Sequence, residues 1–444
     1  MKEFTGEDIK RIISEKDIRF IQLQFTDIFG QLKNVAVMSS QIDKVLANEC
    51  MFDGSSIEGF ARIEESDQYL RPDLGSFVVI PWHKKHGKVA RLICDVYSPD
   101  GNPFEGDPRN VLRKVIKEAE DMGYSFNVGP ECEFFLFLTN EDGTPTTNTL
   151  DKAGYFDLGT VDPGEKIRRE ICLALEEMGF EIEASHHEDA PGQHEIDFKY
   201  DGALSTADNI MTFKYAVKSI AQKHGFYATF MPKPVYGTSG SGMHLNMSLL
   251  DKSGSNIFVD ESDKFGLSAA AYSFVAGILE HAKGFTAVTN PLVNSYKRLV
   301  PGFEAPNHIA WSARNRSPLI RVPSATGQST RIELRSPDPS ANPYLALAVC
   351  LASGLDGIKR SLTPPPSVDA NLYEMTADEL ARNGIESLPG SLHNAVMLMQ
   401  ADELVMNTLG GHISGVYTDA KLKEWGSYRE HVTQWELSEY FKTY

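Results

Sequence analysis

Gly129-Pro-Glu-Cys-Glu-Phe-Phe-Leu-Phe137 is the stretch on which the reading of this chain turns. Its aromatic content reads as a β-strand. Successive side chains of a strand point to opposite faces, so Glu131, Glu133, Phe135 and Phe137 share one face while Cys132, Phe134 and Leu136 share the other. Two carboxylates about 7 Å apart repel by roughly 2 kcal/mol at an effective dielectric of about 20. A cation beside them would relieve the strand.

Three further segments repeat the pattern. In Gly242-Met-His-Leu-Asn-Met-Ser-Leu249 the residues His244, Asn246 and Ser248 face one way and an apolar row the other. Arg331-Ile-Glu-Leu-Arg335 alternates Arg331, Glu333 and Arg335 with Ile332 and Leu334. His186-His-Glu-Asp-Ala-Pro-Gly-Gln-His-Glu-Ile-Asp-Phe198 reads as a strand end, a Pro191-Gly192 turn and a second strand showing Glu195 and Asp197 on one face. Solvated strand faces are usually mixed with Lys, Thr and Gln, whereas these are dominated by Glu, His, Asn and Arg. Carboxylate and His clusters are the makings of a metal site. Oxygen donors with a single imidazole favour Mg²⁺ or Mn²⁺ over Zn²⁺.

Composition bounds the rest. At 444 residues and 41% hydrophobic content the chain can bury two or three cores. A net charge of −18 argues against nucleic acid or an anionic membrane as the main partner. The five cysteines (Cys50, Cys94, Cys132, Cys172, Cys350) are scattered and form no CxxC pair, which fits a reducing cytoplasm. The first ten residues lack an apolar signal core, and the run Leu345 to Leu355 is too short to span a bilayer, reading instead as a buried helix.

The Pro-, Gly- and Asp-rich stretch Tyr97 to Pro108 marks a boundary, giving a small α+β unit over 1–103 and a larger one over 104–444. The first opens with a helix from Glu7 to Lys16, followed by strands at Ile18–Phe25, Gln31–Val37 and Lys88–Val96. In it, Gly54 and Gly59 place Asp53, Ser55, Ser56 and Asp67 in an irregular loop that could complete a site elsewhere. In the second, helices over Asp107–Met122, Gly164–Met178, Thr206–His224 and Ser268–Lys283 alternate with the ligand-bearing strands. That order predicts an α+β fold with a curved, mostly antiparallel sheet backed by helices. From Asn342 to the end the chain reads as mainly helical, including Ala420 to Tyr440.

Between Lys297 and Arg335 seven basic residues (Lys297, Arg298, Arg314, Arg316, Arg321, Arg331, Arg335) stand against Glu304 and Glu333. Six of the seven are Arg, whose guanidinium forks bind carboxylate and phosphate in two-pronged fashion, so the segment reads as an anion site. Glu304, between Gly302 and Pro306, reads either as a lid residue aimed at a cation or a transferred proton or as one side of a surface salt bridge. Tyr236-Gly-Thr-Ser-Gly-Ser-Gly242 fits neither the P-loop nor the dinucleotide fingerprint.

With these residues in view the chain resembles type I glutamine synthetase of the short bacterial alpha-type branch. The likeness runs through Met51–Phe60, Gly129–Phe137, His186–Phe198, Lys233–Leu249, Asn294–Pro323 and Arg331–Ala346, essentially the whole chain. It implies a small β-grasp N-terminal domain, a larger catalytic domain, and a homo-dodecamer of two hexameric rings with active sites between neighbouring subunits. The helical C-terminus would clasp the opposite ring. The implied enzyme is a cytoplasmic glutamate–ammonia ligase that makes glutamine from glutamate, ammonium and ATP through γ-glutamyl phosphate, using two or more Mg²⁺ or Mn²⁺ per site.

The resemblance also implies residue roles. Glu133, Glu188 and Glu195 match the ligands of the metal on the glutamate side, and Glu131, His244 and Glu333 those of the metal that accompanies the nucleotide phosphates. Arg298 matches the residue that grips glutamate; Arg316, Arg321 and Arg335 match those that hold carboxylate, phosphate or the transferred phosphoryl group. Glu304 corresponds to the flap glutamate. Asp53, supplied by the adjacent subunit with Asp67 beside it, matches the residue that binds ammonium and removes its proton. Arg62 is implied in feedback inhibition by glutamine, and a nitrogen-regulatory transcription factor is an implied partner.

The chemistry asks for such a set. A carboxylate is a poor acyl donor until phosphorylated, the transfer builds negative charge, and ammonium must be collected and deprotonated before it attacks. Cys132 stands where the family often has Pro and should point into the apolar layer. Asn246 stands where another branch has His. Tyr373 resembles a tyrosine that a longer branch modifies by adenylylation, but the insertion of that branch is lacking, so no modification is expected. Two other readings share the fold: a ligase that accepts a larger amine such as a polyamine, and a non-catalytic assembly or regulatory protein.

Overall fold

The computed structural model describes residues 4–60, 66–83, 87–324 and 326–444. Arg62 lies outside the described residues. A helix over Gly6–Glu15 opens the chain, started by a capping box in which Thr5 accepts the Asp8 amide hydrogen and Asp8 accepts that of Thr5. Its Ile9 and Ile13, four residues apart, are both buried. They pack against a five-stranded sheet of β1 (Ile18–Thr26), β2 (Leu32–Met38), β3 (Cys50–Asp53), β4 (Asp67–Val79) and β5 (Lys88–Tyr97), in the order β2-β1-β5-β4-β3. β1 and β5 are parallel and the other pairs antiparallel, which is the β-grasp arrangement.

This unit corrects one expectation. Asp53 and Asp67 do not lie in an irregular loop: they end β3 and begin β4, and face one another across that pair. Ser55 and Ser56 lie in a single 3-10 turn, Gly54–Ser56, that follows Asp53. β4 hides in the sequence because Pro72, Asp73 and Gly75 interrupt its alternation, and its register against β5 shifts between Asp73 and Val78.

The larger unit is built on a second sheet. Its strands are β6 (Ser125–Thr139), β7 (Pro145–Thr149), β8 (Ile182–His187), β9 (Gln193–Phe198), β10 (Asp201–Gly202), β11 (Phe226–Thr229), β12 (Met243–Leu250), β14 (Trp311–Ser312), β15 (Ile320–Arg321) and β16 (Ile332–Leu334), with β13 (His308–Ile309) pairing separately with Glu386–Ser387. The main path runs β14-β15-β16-β12-β6-β9-β8, and all its pairs but β14–β15 are antiparallel. The alternation read from the sequence holds in space. Cys132, Phe134 and Leu136 belong to the main core with Met243, Leu245 and Met247, while Phe135 and Phe137 pack with Ala190 in a separate small cluster.

The helix Ala203–Lys223 lies on the sheet, Pro343–Lys359 packs beside it, and Ala269–Thr289 packs on Pro343–Lys359 and reaches β6 through Phe274 and Phe126. Pro343–Lys359 buries most of its length, as its apolar run predicts. It crosses Ala269–Thr289 at backbone contact: a Cβ on Gly277 would lie 2.1 Å from the Ser353 carbonyl oxygen, and one on Gly357 2.0 Å from that of Ser273. Only glycines permit that approach. Buried Arg109 ties the two units together, meeting Asp73 of β4 at 2.8 Å, Asp95 of β5 at 2.5 Å and Asp208 of Ala203–Lys223 at 2.8 Å.

The C-terminus departs from a single helix over 420–440. The helical stretch Glu403–Glu430, broken by a kink at Gly410 (φ 76°), stops at Glu430, and a new helix, Gln434–Tyr440, starts afresh at a Thr433/Glu436 capping box. Trp435 and Phe441 there are largely exposed. Among the described residues no helix is long and apolar enough to cross a membrane.

Candidate active site

Strand register gathers the four segments. Glu131 stands opposite His244 on one side and Asp197 on the other; Glu133 faces Glu195, and Glu195 faces His186; Glu333 faces Asn246 and Arg321. Directly opposed side chains have Cβ atoms about 5 Å apart, so ligand groups scattered over 200 residues of sequence become neighbours on one face. A cavity of about 230 Å³ opens there. It is lined by Glu131, Glu133, Glu188, Glu195, His244 and Glu333, and by Arg298, Glu304, Arg316, Arg321 and Arg335. Asp53 and Asp67 do not line it; both are exposed on the N-terminal sheet.

Two sets of donor atoms converge. In Glu131, His244 and Glu333, and again in His186, Glu188 and Glu195, the ligand atoms all lie within 4.8 Å of one another. Glu133 Oε2 accepts hydrogen bonds from Gln193 Nε2 at 2.7 Å and from the Gly242 amide at 3.0 Å. That amide belongs to the glycine-rich stretch that matched no phosphate motif. A Cβ on Gly242 would stand 2.6 Å from the Arg298 guanidinium and 2.9 Å from His244 Nε2, so a larger residue there would displace two site side chains. The turn that carries Glu188 is braced from below: His187 Nδ1 donates to the Glu188 carbonyl at 2.6 Å and its Nε2 meets Asp151 at 3.2 Å, while Asp151 accepts the Gly192 amide hydrogen at 2.8 Å.

The cations divide. Glu333, only 1% exposed, accepts from Arg321 at 2.8 Å and is also bonded to Arg335. Buried Arg298 donates to the carbonyl oxygens of Ser336 at 2.7 Å and Arg335 at 3.2 Å, and its Nε has no hydrogen-bond partner among the described residues. Asn246 links Arg331 Nε, at 2.9 Å, to Glu131, at 2.9 Å, so it orients a carboxylate through its amide. Lys297 turns away, over the Tyr428 ring. Cys132 points into the core as expected, and burial pushes its thiol up to about 12.

Sequence reading passes over His186 and Gln193 as site residues and leaves the contact of Asn246 open. A signal existed for each. His186 alternates with Glu188, Gln193 with Glu195 and Asp197, and Asn246 with His244, so all share the ligand face. A second cavity, of about 630 Å³, shares Glu131 and Asp197 with the first and is also lined by Tyr200, Gln328 and Arg331. Nothing in the local sequence pattern announces it.

Electrostatics identify what the site accepts. Burial, reinforced by the charge of Glu188, pushes the Glu133 carboxyl up to about 8. Burial also lifts Asp197 to about 7 and carries Glu195 well above the carboxylate range, with neighbouring carboxylates adding to it. Burial acts upward on Glu131 too, but hydrogen bonds from His244 and Asn246 and the charge of Arg335 outweigh it and hold that group at about 2. Carboxylates exceed cations here, so a divalent ion would let the whole set ionise. Mainly oxygen donors with imidazole suit Mg²⁺ or Mn²⁺.

Metal binding must therefore depend on pH. Between about pH 4.5 and pH 8 the metal-free folded state holds protons on Glu133 and Asp197 that the unfolded chain has released, so its stability falls as pH rises. A divalent cation replaces those protons. The gain in Tm on adding Mg²⁺ or Mn²⁺ to EDTA-treated protein is expected to be larger at about pH 8.5 than at about pH 6. Equal gains would contradict this electrostatic picture.

Known proteins share this architecture. A model of the glutamine synthetase catalytic domain matches residues 105–440, and one of the glutamine synthetase β-grasp domain matches residues 17–99. The chain is 62% identical to a glutamine synthetase of Clostridium saccharobutylicum over 444 residues, the full length of both. It is 58% identical to one of Staphylococcus aureus strain Mu50, covering 100% of this chain and 99% of that one. A solved structure described as a GmaS/ADP complex superposes with a TM-score of 0.89 at 34% identity, covering 98% of this chain and 99% of that one. A cryo-EM structure of Plasmodium falciparum glutamine synthetase shares the fold, with a TM-score of 0.87 at 24% identity and 99% of each chain covered. With both of its domains matched and close relatives aligned end to end, the chain belongs to the glutamine synthetase family, ligases that use ATP and a divalent metal to make glutamine.

Proposed function

We propose that the pocket joins ammonium to glutamate in two steps through γ-glutamyl phosphate, with its two donor sets holding separate cations. The observation that carries this reading is the meeting of six ligand residues and four arginines in one cavity. Glu133, Glu188 and Glu195, with His186, would hold one cation beside glutamate; Glu131, His244 and Glu333 would hold the other beside the ATP phosphates. Divalent cations there supply positive charge to the phosphates and the acyl group while the phosphoryl group moves.

The chain's own residues do the rest. The larger cavity beside Glu131 has room for a nucleotide, which sets the γ-phosphate next to the second donor set. A γ-carboxylate oxygen of glutamate attacks the γ-phosphorus and ADP leaves. Arg316, Arg321 and Arg335 stabilise the transferring phosphoryl group, and Arg298 orients glutamate through its position in the wall. Ammonium is a cation without a lone pair. Asp53, with Asp67 beside it, collects it and takes a proton; ammonia then attacks the acyl carbon, and phosphate departs with the second nitrogen proton as hydrogen phosphate. Glu304 closes over the acyl phosphate and keeps water from hydrolysing it.

Asp53 and Asp67 lie away from the cavity of their own chain, which supports a site completed by a neighbouring subunit. A dodecamer of two hexameric rings fits this, with Gln434–Tyr440 and its exposed Trp435 and Phe441 clasping the opposite ring. The same reading puts the domain border at 103/104, the enzyme in the cytoplasm, and its restraint in glutamine feedback and a nitrogen-regulatory transcription factor.

The test is product identification with purified protein, ATP, Mg²⁺ and glutamate, offering ammonium or putrescine. One glutamine per phosphate, formed only with ammonium, is the expected result. A γ-glutamyl amide of putrescine would make the enzyme a ligase for larger amines, and no turnover with either donor would leave a non-catalytic assembly.

A further inference from the structure

Glu304 is a non-glycine residue held at φ 59°, a left-handed backbone conformation that needs support from its surroundings. Its two chain neighbours supply that support. The Phe303 ring lies 3.7 Å from the Lys233 ammonium, and the Ala305 carbonyl accepts a hydrogen bond from the Tyr373 hydroxyl at 3.0 Å. Tyr373 is itself fixed, because Asn371 accepts its amide hydrogen at 3.1 Å and starts the turn Leu372–Glu374.

The segment that carries Tyr373 also grips the loop that carries Arg316. Ser312 meets Asp369 at 3.1 Å, Asn315 donates to the Ala370 carbonyl at 2.5 Å, and Ser317 accepts the Leu372 amide hydrogen at 3.0 Å. Residues 369–373 thus hold the arginine loop by three bonds and the flap by one. A cavity of about 540 Å³ is lined by Glu304, Arg316, Arg335 and Tyr373. Loss of the Tyr373 bond would leave only the Phe303–Lys233 contact to hold Glu304 away from that open space, while the arginine loop stayed anchored.

We propose that Tyr373 is a positioning residue for the ligase reaction: its hydroxyl latches the Ala305 carbonyl and so holds Glu304 closed over γ-glutamyl phosphate. The proposal rests on the lid reading of Glu304. With the latch lost, water enters and its oxygen attacks the acyl carbon, and phosphate leaves without amide formation. Glutamate is regenerated, so each such event consumes one ATP and yields no glutamine.

The experiment compares wild type, Tyr373→Phe and Glu304→Ala, each fully assembled and loaded with Mg²⁺. Two quantities are read: amide hydrogen exchange over residues 301–306, with 314–317 as internal reference, and phosphate released per glutamine at limiting ammonium. Removing one neutral hydrogen bond should speed exchange over 301–306 by roughly two- to tenfold and leave 314–317 and Tm unchanged. Phosphate per glutamine should rise above the wild-type ratio. Unchanged exchange overturns the latch, and so does faster exchange with a wild-type ratio when Glu304→Ala itself uncouples. If Tyr373→Phe exchanges faster but Glu304→Ala remains coupled, it is the lid reading that fails, and the latch's role in coupling fails with it.

Discussion

Replacing Glu333 by Gln should lower kcat/KM by about three orders of magnitude, the scale on which transition-state charge stabilisation acts when one of its central groups is lost. The carboxylate is 1% exposed and serves both sides of the site. It accepts from Arg321 and Arg335, and its Oε1 lies 3.7 Å from His244 Nδ1 in a donor set with Glu131. Gln keeps the shape and one acceptor oxygen but removes the charge. Two arginines then face a metal position with nothing between them to offset their repulsion of the cation, and the fold loses about 3 kcal/mol through a broken buried pair. Steady-state kinetics and Mn²⁺ titration of the folded variant check this. Wild-type metal affinity in Glu333→Gln would place the second cation elsewhere.

The second large effect tests whether sites are shared between subunits. Asp53 accepts both the amide and the hydroxyl hydrogen of Ser55, at 2.9 and 2.6 Å, and these bonds lower its pKa, so it is an exposed, fixed anion. Asp53→Asn alone should therefore lose most ammonium-dependent turnover while keeping metal binding, because its chain's own donor sets are untouched. Mixed with Glu333→Gln subunits, dissociated and reassembled one-to-one, activity should recover to about a quarter of wild type. A site built from one intact pocket and one neighbouring intact Asp53 arises in about one random pairing in four. No recovery from two folded, assembled variants would put Asp53 in the site of its own chain.

The ligand-bearing strands were legible because alternation is local: a residue's face follows from its neighbours one and two positions away. The helices were legible for the same reason, through their 3.6-residue period. β3 and β4 were not. Glycines after Asp53, and a proline and a bulge within β4, erase the pattern, and it is the pairing of β4 with β3 and β5 that keeps that chain extended. The end of the chain likewise read as one helix, although its composition alone cannot override the Thr433/Glu436 cap that starts a second. His186 and Gln193 sat on the ligand face in plain sight; what promoted them was proximity to Glu195 and Glu133 in space.

Local alternation settles the inventory: which carboxylates, imidazole and guanidinium groups are present, which side of each strand they occupy, and hence that a divalent cation and an anionic substrate meet here. Tertiary structure alone decided the partnerships. Hydrogen-bond register between β6, β9, β12 and β16 sets Glu133 against Glu195 and His244 against Glu131, and a slip of one residue would turn every ligand to the core. The tie between Tyr373 and Ala305 and the separation of Asp53 from its own chain's pocket are likewise long-range contacts. No local periodicity encodes them, because they depend on how the elements close on one another.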